Sequence, residues 1–309
     1  MISDKRVLVA GHSGLVGSAI VRRLQNEHCE ILTLGRTDAD LRRQSEVEKW
    51  MEKNRPQVVF LAAAKVGGIH ANNSYPAEFL YDNLMIEANL IHAAHLYEVE
   101  KLVFLGSTCI YPKLSPQPIH ESALMSGPLE PTNQWYAIAK IAGIMMCQAY
   151  RKQYSCDFIS AQPTNLYGPG DNFDLENSHV LPALLRKAHE AKENDAATMS
   201  VWGSGSPLRE FLYVDDLADA LVFLANNYSD SEIVNIGTGQ EISIAELARL
   251  VCNIVGFKGE LIFDASKPDG TPRKLCDVNK LHALGWRHKV ELRAGLLDSY
   301  AWYREHIVT

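Results

Sequence analysis

The sequence predicts an α/β fold with a parallel, doubly wound sheet and a smaller C-terminal lobe. Residues 6–162 alternate short apolar runs with longer amphipathic segments, the pattern of strands joined by crossover helices. With 309 residues, 47% hydrophobic and 22% charged, the chain is globular and long for one core. We therefore expect a first domain over residues 1–165. Residues 166–309 should form mainly a second lobe, with segments at about 199–240 returning to the sheet.

The apolar runs and the 3.6-residue periods place the elements in order. The predicted strands of the first domain are 6–10, 30–34, 57–61, 101–106 and 157–162. Its predicted helices are 15–26, 45–54, 77–97 and 136–154. Beyond residue 165 we expect helices 180–192, 214–226, 243–255 and 290–306 and strands 199–202, 210–213 and 260–263. Ser243 and Glu246 have the spacing of a capping box at a helix start.

Two of these helices carry unusually broad apolar surfaces. Helix 77–97 has an apolar stripe formed by Leu80, Leu84, Ala88 and Ile91. Helix 136–154 has another, formed by Ile138, Ile141, Ala142, Met145 and Ala149. Helices of this kind usually bury two faces. The sheet can cover one face and a second copy of the chain the other, so we predict a homodimer through these helices. A core formed within one chain is the alternative.

Composition excludes several classes of partner. The net charge of −7 argues against nucleic-acid binding, which favours a basic surface. No run of about 18 apolar residues predicts a membrane span, and the N-terminus has no apolar signal core. The six cysteines have neither metal-site nor redox-motif spacing, so we expect no metal and reduced thiols in a cytoplasmic protein.

A glycine-rich turn between the first strand and the first helix predicts a dinucleotide site. Its residues are Gly11, His12, Ser13, Gly14, Leu15, Val16 and Gly17. Such glycines let the backbone approach a pyrophosphate at the helix N-terminus, the arrangement of a Rossmann fold. Arg36 stands at the end of the second strand, where an arginine accommodates the 2′-phosphate of NADP(H). A plain tight turn and a solvent-exposed arginine are the alternatives.

A serine, a tyrosine and a lysine are spaced for carbonyl reduction. Ser107 ends the buried strand 101–106, and Tyr136 and Lys140 lie one turn apart on a helix. A phenol of ordinary pKa, about 10, is a poor acid at neutral pH. A nearby ammonium favours the phenolate and lowers that pKa. We expect Tyr136 to protonate the oxyanion formed by hydride addition, with Ser107 binding the substrate carbonyl.

The chain resembles the extended short-chain dehydrogenase/reductase family, and the likeness runs nearly end to end. More narrowly, it is similar to the GDP-4-keto-6-deoxy-D-mannose 3,5-epimerase/4-reductases of that family. The motifs that carry the resemblance are AAAKVGG at 62–68, STCIYP at 107–112, PTNLYGP at 163–169, DNF at 171–173, SHV at 178–180, VWGSG at 201–205 and KPDGTP at 267–272.

The resemblance implies conversion of a GDP-sugar, GDP-4-keto-6-deoxy-D-mannose, into GDP-L-fucose. It makes Cys109 the base that removes protons beside the 4-keto group and His179 the acid that returns them. It places Lys187, Trp202, Arg209 and Asp269 around the GDP-sugar. It assigns to the NADP(H) side Gly11, His12, Ser13, Gly14, Leu15, Val16, Gly17, Arg36, Leu41, Leu105, Gly106, Ser107, Thr108, Lys140, Pro163, Thr164, Asn165, Leu166 and His179. Ser13 stands where some relatives have an arginine near the 2′-phosphate, which leaves Arg36 more alone.

Other activities fit the sequence less well. Nucleotide-sugar 4,6-dehydratases need an acid pair where this chain has Thr108 and Cys109, and a 4-epimerase would not explain Cys109 together with His179. A GDP-L-colitose synthase acting on the 3-deoxy analogue stays open. From another class, a non-catalytic dinucleotide-binding protein need not keep Ser107, Tyr136 and Lys140 together.

Overall fold

The computed structural model describes residues 2–175, 177–267 and 269–308, so Pro268 of the 267–272 motif lies outside the described residues. The strands are β1 Arg6–Ala10, β2 Glu30–Leu34, β3 Val58–Leu61, β4 Lys101–Leu105, β5 Phe158–Pro163, β6 Asn165–Tyr167, β7 Thr198–Trp202, β8 Leu208–Arg209, β9 Phe211–Tyr213, β10 Val234–Ile236, β11 Ile242–Ser243, β12 Glu260–Asp264 and β13 Arg273–Lys274. The helices are α1 Leu15–Leu24, α2 Gln44–Asn54, α3 Ile69–Ser74, α4 Pro76–Leu96, α5 Gln134–Tyr154, α6 Val180–Glu193, α7 Val214–Asn227, α8 Ile244–Val255, α9 Asn279–Leu284 and α10 Leu292–His306.

The main sheet is parallel and doubly wound, as predicted. Its six strands run in the order β10-β5-β4-β3-β1-β2. The chain proceeds outward from β1 to β2 and then crosses back to place β3 on the other side of β1. The carboxyl ends of β1 and β3 therefore form a topological switch point, where open α/β sheets bind ligands.

Side chains alternate between two apolar layers along β1. Val7 and Val9 pack with α1 and α7, whereas Leu8 and Ala10 pack with α2, α4 and α5. A third apolar cluster joins α6, α8 and α10 in the C-terminal lobe. Both faces of the sheet are thus covered, so a ligand can approach it at the ends of its strands.

The C-terminal half contributes few strands to the main sheet. Among the strands of residues 199–240, only β10 joins it, beside β5. β7 pairs with β12 instead, β8 pairs with β11 and β13, and β9 pairs with β6.

The capping box of Ser243 and Glu246 is confirmed, with both reciprocal hydrogen bonds present at the start of α8. The strand expected over 210–213 is wrong at its start, because Glu210 separates β8 from β9. This residue is fully buried and accepts hydrogen bonds from the backbone N–H groups of Thr238, Gly239 and Cys276. The short elements β6, β10, β11, β13, α3 and α9 were not predicted, since two to six residues carry too little periodicity.

The paired helices α4 and α5 leave only part of each predicted apolar stripe accessible to solvent, since Ile91 is fully buried in the core. Leu80, Leu84 and Ala88 of α4 are half-buried, and Ile138 of α5 is 40% exposed. The buried faces of both helices are mostly apolar, but they also carry polar residues, including Glu87 and Lys140. In the described part of the chain no helix is long and apolar enough to cross a membrane.

Candidate active site

The glycine turn after β1 forms a cradle that only small residues permit. Gly11 has a positive φ of 88°, and a Cβ there would lie 2.7 Å from the Ala63 backbone that follows β3. A Cβ on Gly17 would lie 2.0 Å from the Gly11 carbonyl oxygen. No side chain caps the start of α1 at Gly14, so its first N–H groups remain available to an anion. The Nδ1 atom of His12 is buried here without a hydrogen-bond partner among the described residues.

Arg36 lies in the turn directly after β2 with an exposed side chain. Its guanidinium makes no hydrogen bond or ion pair within the described ranges, whereas the nearby acids are engaged. Asp38 accepts a hydrogen bond from the Gly35 N–H at 2.8 Å, and Asp40 pairs with Arg42 at 2.9 Å. Leu41 is half-buried against the layer of α2 and α4. The end of β2 therefore presents a free cation.

The end of β4 presents Ser107 and Cys109 to the same edge. Gln162 of β5 accepts a hydrogen bond from the Ser107 N–H at 3.0 Å, and a Cβ on Gly106 would clash with that Gln162 side chain at 1.8 Å. The Ser107 hydroxyl accepts a hydrogen bond from the Cys109 N–H at 3.2 Å and is also hydrogen-bonded to the Tyr136 phenol. The structure thus brings Ser107, Cys109 and Tyr136 together.

In the chain by itself, the Lys140 ammonium does not lower the pKa of Tyr136. The Lys140 ammonium lies 2.9 Å from a carboxylate oxygen of Glu87 and 5.9 Å from the centroid of the Tyr136 ring. The pKa of Tyr136 is raised, because burial and then the negative charges of Cys109 and Glu87 disfavour the phenolate more than Ser107 stabilises it. The phenol is therefore held in its protonated form, the form that donates a proton.

Lys274 of β13 is a site residue that the sequence did not reveal. Its ammonium lies 3.4 Å from the Cys109 sulfur. Burial raises the pKa of Cys109, but Lys274, the hydrogen bond from Ser107 and the charge of Arg209 together lower it below its ordinary value. A lowered pKa increases the thiolate fraction, and the thiolate is the basic form of the side chain.

His179 stands at the N-cap position of α6, directly before Val180. Its side chain is exposed to solvent. Desolvation and the positive charge of Lys274 lower its pKa. The loop after β3 contacts the same segment, since a Cβ on Gly68 would lie 2.6 Å from the Ser178 carbonyl oxygen. Because the charge of Lys274 acts on both Cys109 and His179, the fold brings these residues, 70 positions apart, into the same region.

The four residues expected around the GDP-sugar cluster at one end of the lobe. The ammonium of Lys187 lies 4.9 Å from the centroid of the Trp202 ring, and that of Lys267 lies 5.2 Å from it. Arg209 donates a hydrogen bond to the backbone carbonyl of Asp269, whose carboxylate accepts from the N–H and hydroxyl of Ser204. Two cations, Lys187 and the unpredicted Lys267, thus lie over one exposed aromatic ring, and Arg209 is linked to Asp269 nearby.

Residues 163–166 connect the sheet to this lobe. Pro163 ends β5, and the Thr164 N–H donates to the Ile236 carbonyl of β10. The amide of Asn165 donates to the Glu210 carbonyl at 2.7 Å, and Leu166 lies in β6. The segment therefore runs along the carboxyl edge, as its assignment to the cofactor side requires.

Sequence reasoning missed Glu87, Gln162 and Lys274. Lys274 follows the 267–272 motif by two residues, so that motif was the available signal. The signal for Glu87 was a glutamate in the middle of a helix with broad apolar faces. No local pattern marks Gln162 within an apolar strand.

Comparison with known proteins agrees with this geometry. Residues 7–237 match the profile of the NAD dependent epimerase/dehydratase family. The chain is 61% identical to a GDP-L-fucose synthase of Sinorhizobium fredii over 97% of this chain and 96% of that protein. It is 53% identical to the GDP-L-fucose synthase of Escherichia coli over 99% and 98% of the two chains. A Yersinia pseudotuberculosis GDP-L-colitose synthase is 36% identical over 96% and 97%.

A solved structure shows the same fold. The GDP-L-fucose synthetase of Naegleria fowleri bound to NADP superposes with a TM-score of 0.92 at 33% identity, covering 100% of this chain and 95% of that one. The resemblance inferred from the motifs is therefore confirmed. The chain belongs to the NAD dependent epimerase/dehydratase family.

Proposed function

We propose that this chain is an NADP-dependent enzyme that converts GDP-4-keto-6-deoxy-D-mannose into GDP-L-fucose. The reaction consists of epimerisation at C3 and C5 and reduction of the C4 ketone. The observation that carries the proposal is the pairing of the Cys109 thiol with Lys274 beside the hydrogen-bonded Ser107 and Tyr136. A reductase alone has no use for an activated thiol at this position.

The residues at the carboxyl edge fit NADP(H). The glycine cradle and the uncapped start of α1 suit a pyrophosphate, and the unpaired Arg36 suits the 2′-phosphate. When bound, the cofactor supplies the hydride. Lys140, Thr108 and residues 163–166 lie along the same edge and would hold its nicotinamide half.

Epimerisation needs a base and an acid on opposite faces of the sugar ring, next to a ketone that acidifies the adjacent C–H bonds. The Cys109 thiolate takes the proton from carbon, and the electrons move onto the ketone oxygen as an enolate. His179 then donates a proton to the opposite face. Lys274 favours the thiolate of Cys109.

Reduction needs a proton donor at the ketone oxygen. Tyr136 is protonated at neutral pH and shares a hydrogen bond with Ser107. Ser107 orients the carbonyl while Tyr136 gives its proton to the oxygen that becomes the C4 hydroxyl. Lys187, Arg209 and Lys267 supply positive charge for the diphosphate in a chain of net charge −7.

The similarity to GDP-L-fucose synthases favours the 3-hydroxylated substrate over the 3-deoxy substrate of colitose synthesis. The test is NADPH oxidation with each GDP-4-keto sugar, followed by NMR of the product. We expect turnover to GDP-L-fucose and, for Tyr136→Phe, loss of reduction by about 100-fold or more with solvent-deuterium uptake at C3 and C5 retained. Faster turnover of the 3-deoxy sugar would contradict the substrate assignment, and tight NADPH binding without turnover would favour the non-catalytic alternative.

We also infer that two copies associate through α4 and α5. The outward face carries Tyr81, 56% exposed, together with the exposed Trp135 and Ile138 and the half-buried Leu84. An apolar face of this kind is typical of a subunit interface. Ile138→Asp should convert a dimer into a monomer in light scattering, whereas Ile262→Asp, on the opposite lobe, should not. A monomeric wild-type chain would contradict the inference.

The six unpaired cysteines fit the reducing cytoplasm.

A further inference from the structure

A buried ion pair lies beneath the reductase residues. Glu87 of α4 is fully buried and Lys140 of α5 is 2% exposed, with 2.9 Å between the ammonium nitrogen and a carboxylate oxygen. Neither carboxylate oxygen has a further hydrogen-bond partner among the described residues. Within the part of the chain that the structure describes, the Lys140 ammonium is the only cation paired with this carboxylate. Such a pair requires a reason, because two charges are removed from water to form it.

The surrounding packing is shaped around this carboxylate. Gly143 lies three residues after Lys140, and a Cβ there would come within 2.9 Å of Glu87 and 2.3 Å of the Phe104 ring. The Lys140 ammonium lies 4.8 Å from the centroid of the same ring. Gly143 and Phe104 thus restrict the Glu87 side chain to one position. Glu87 in turn restricts the Lys140 ammonium to one position.

We propose that Glu87 is a positioning residue for ketone reduction, which fixes the Lys140 ammonium below the Tyr136 ring and holds it there as a cation. This inference rests on the proposed function. A lysine ammonium has three N–H donors on a flexible stem. One carboxylate restricts the motion of the lysine side chain. It leaves the other N–H donors for a ligand at the carboxyl ends of the strands.

Stability alone does not account for the pair. A buried ion pair contributes little net stability, and well-packed apolar residues of similar volume often replace it without loss. Removing one partner, however, leaves the other charge buried and uncompensated. An ion pair that folding does not require, but from which one charge cannot be removed without a loss of stability, fits a role in the reaction.

The pair also influences the proton donor. The groups that face the Tyr136 phenol are Ser107 and Cys109 from the β4 loop, Glu87 from α4 and Lys140 on its own helix. Burial raises the pKa of Tyr136 most, and the charges of Cys109 and then Glu87 raise it further. Removing the Glu87 charge should therefore lower the pKa of Tyr136. The alkaline limb of the reduction profile, where the phenol loses its proton, should move to lower pH.

The test compares Glu87→Gln, Glu87→Asp and wild type in two reactions of the same site. For Glu87→Gln we expect kcat for NADPH-dependent reduction to fall about tenfold or more with KM within about twofold, and the alkaline limb to move to lower pH. Deuterium uptake at C3 and C5, measured with NADP+ so that reduction is blocked, should stay within about threefold of wild type. Affinity for NADPH in a fluorescence titration should change by less than about tenfold, because the glycine cradle and Arg36 are unaltered.

Glu87→Asp keeps the charge and shortens its reach, so its kcat should lie between those of Gln and wild type with an unshifted pH limb. Glu78→Gln is the matched control, since Glu78 is an exposed glutamate of the same helix paired with Lys65. If Glu87→Gln does not fold, selective loss of reduction over deuterium uptake in Glu87→Asp carries the test. Equal loss of both reactions, or an unshifted profile in a folded Glu87→Gln, would overturn the inference. No turnover by wild type would overturn the proposed function instead.

Discussion

Replacing Lys274 by methionine tests whether its ammonium activates Cys109. The nitrogen and sulfur lie 3.4 Å apart. At that separation two unit charges interact by about 5 kcal/mol at an effective dielectric constant of about 20, and by about 1 kcal/mol in bulk water. One pKa unit corresponds to about 1.4 kcal/mol. Loss of the ammonium should therefore raise the pKa of Cys109 by about 1 to 3.5 units.

The direction of the pH effect follows from the protonation state of the base. The pKa of Cys109 is lowered in the wild-type chain, so the thiolate is populated at lower pH than an ordinary thiol allows. In Lys274→Met the thiolate fraction at neutral pH should fall, by up to about 3000-fold, and return as pH rises. Deuterium uptake at C3 and C5 should follow that fraction, and NMR measures it across the pH range.

A matched control is Lys280→Met, because Lys280 pairs with Glu232 at 2.6 Å and is not recorded in contact with Cys109. It should exchange like wild type at every pH. Deuterium uptake within twofold of wild type for Lys274→Met at neutral pH would refute the argument. A loss that persists unchanged at high pH would also refute it, since the missing charge would then not act through the thiol.

Two further changes separate the cofactor from the chemistry. Arg36→Asp should weaken NADPH binding by about 10-fold or more while changing NADH binding little, because the 2′-phosphate loses its cation; equal loss for both in fluorescence titrations would remove Arg36 from the phosphate. Cys109→Ser should slow deuterium uptake by about 100-fold or more, since a hydroxyl is a far weaker base than a thiolate at neutral pH, while an already epimerised GDP-4-keto sugar is still reduced. Unchanged uptake would exclude Cys109 as the base.

The sequence was sufficient for the parts of the site that depend on neighbours along the chain. The turn Gly11–Gly17 and the end of β4 at Ser107 are local features, because glycine spacing and strand ends are set within a few residues. The pair Tyr136 and Lys140 is local for the same reason, one helical turn apart. The amphipathic helices were placed within two residues at both ends. The differences of two residues are at the end of α1 and the starts of α5 and α10, where the last or first turn lacks the pattern.

The charges around these residues could not be predicted in this way. The sequence analysis expected Lys140 to lower the pKa of Tyr136, but α4 packs against α5 and brings Glu87 to the ammonium at 2.9 Å. Likewise, β13 pairs with β8 and carries Lys274 to a cysteine 165 positions earlier in the chain. Neither of these contacts produces a periodic pattern in the sequence.

By itself the sequence predicted the doubly wound sheet and the candidate site residues of the glycine turn, Ser107, Tyr136 and Lys140, because apolar periodicity, glycine freedom and helical spacing act over short distances along the backbone. Only the tertiary structure decided the protonation of that site. The pKa of Cys109 is lowered beside Lys274 of β13, and the pKa of Tyr136 is raised by burial and by the charges of Cys109 and Glu87. Electrostatic energy depends on separation and burial in three dimensions, and these distances exist only once the two lobes and the paired helices are assembled.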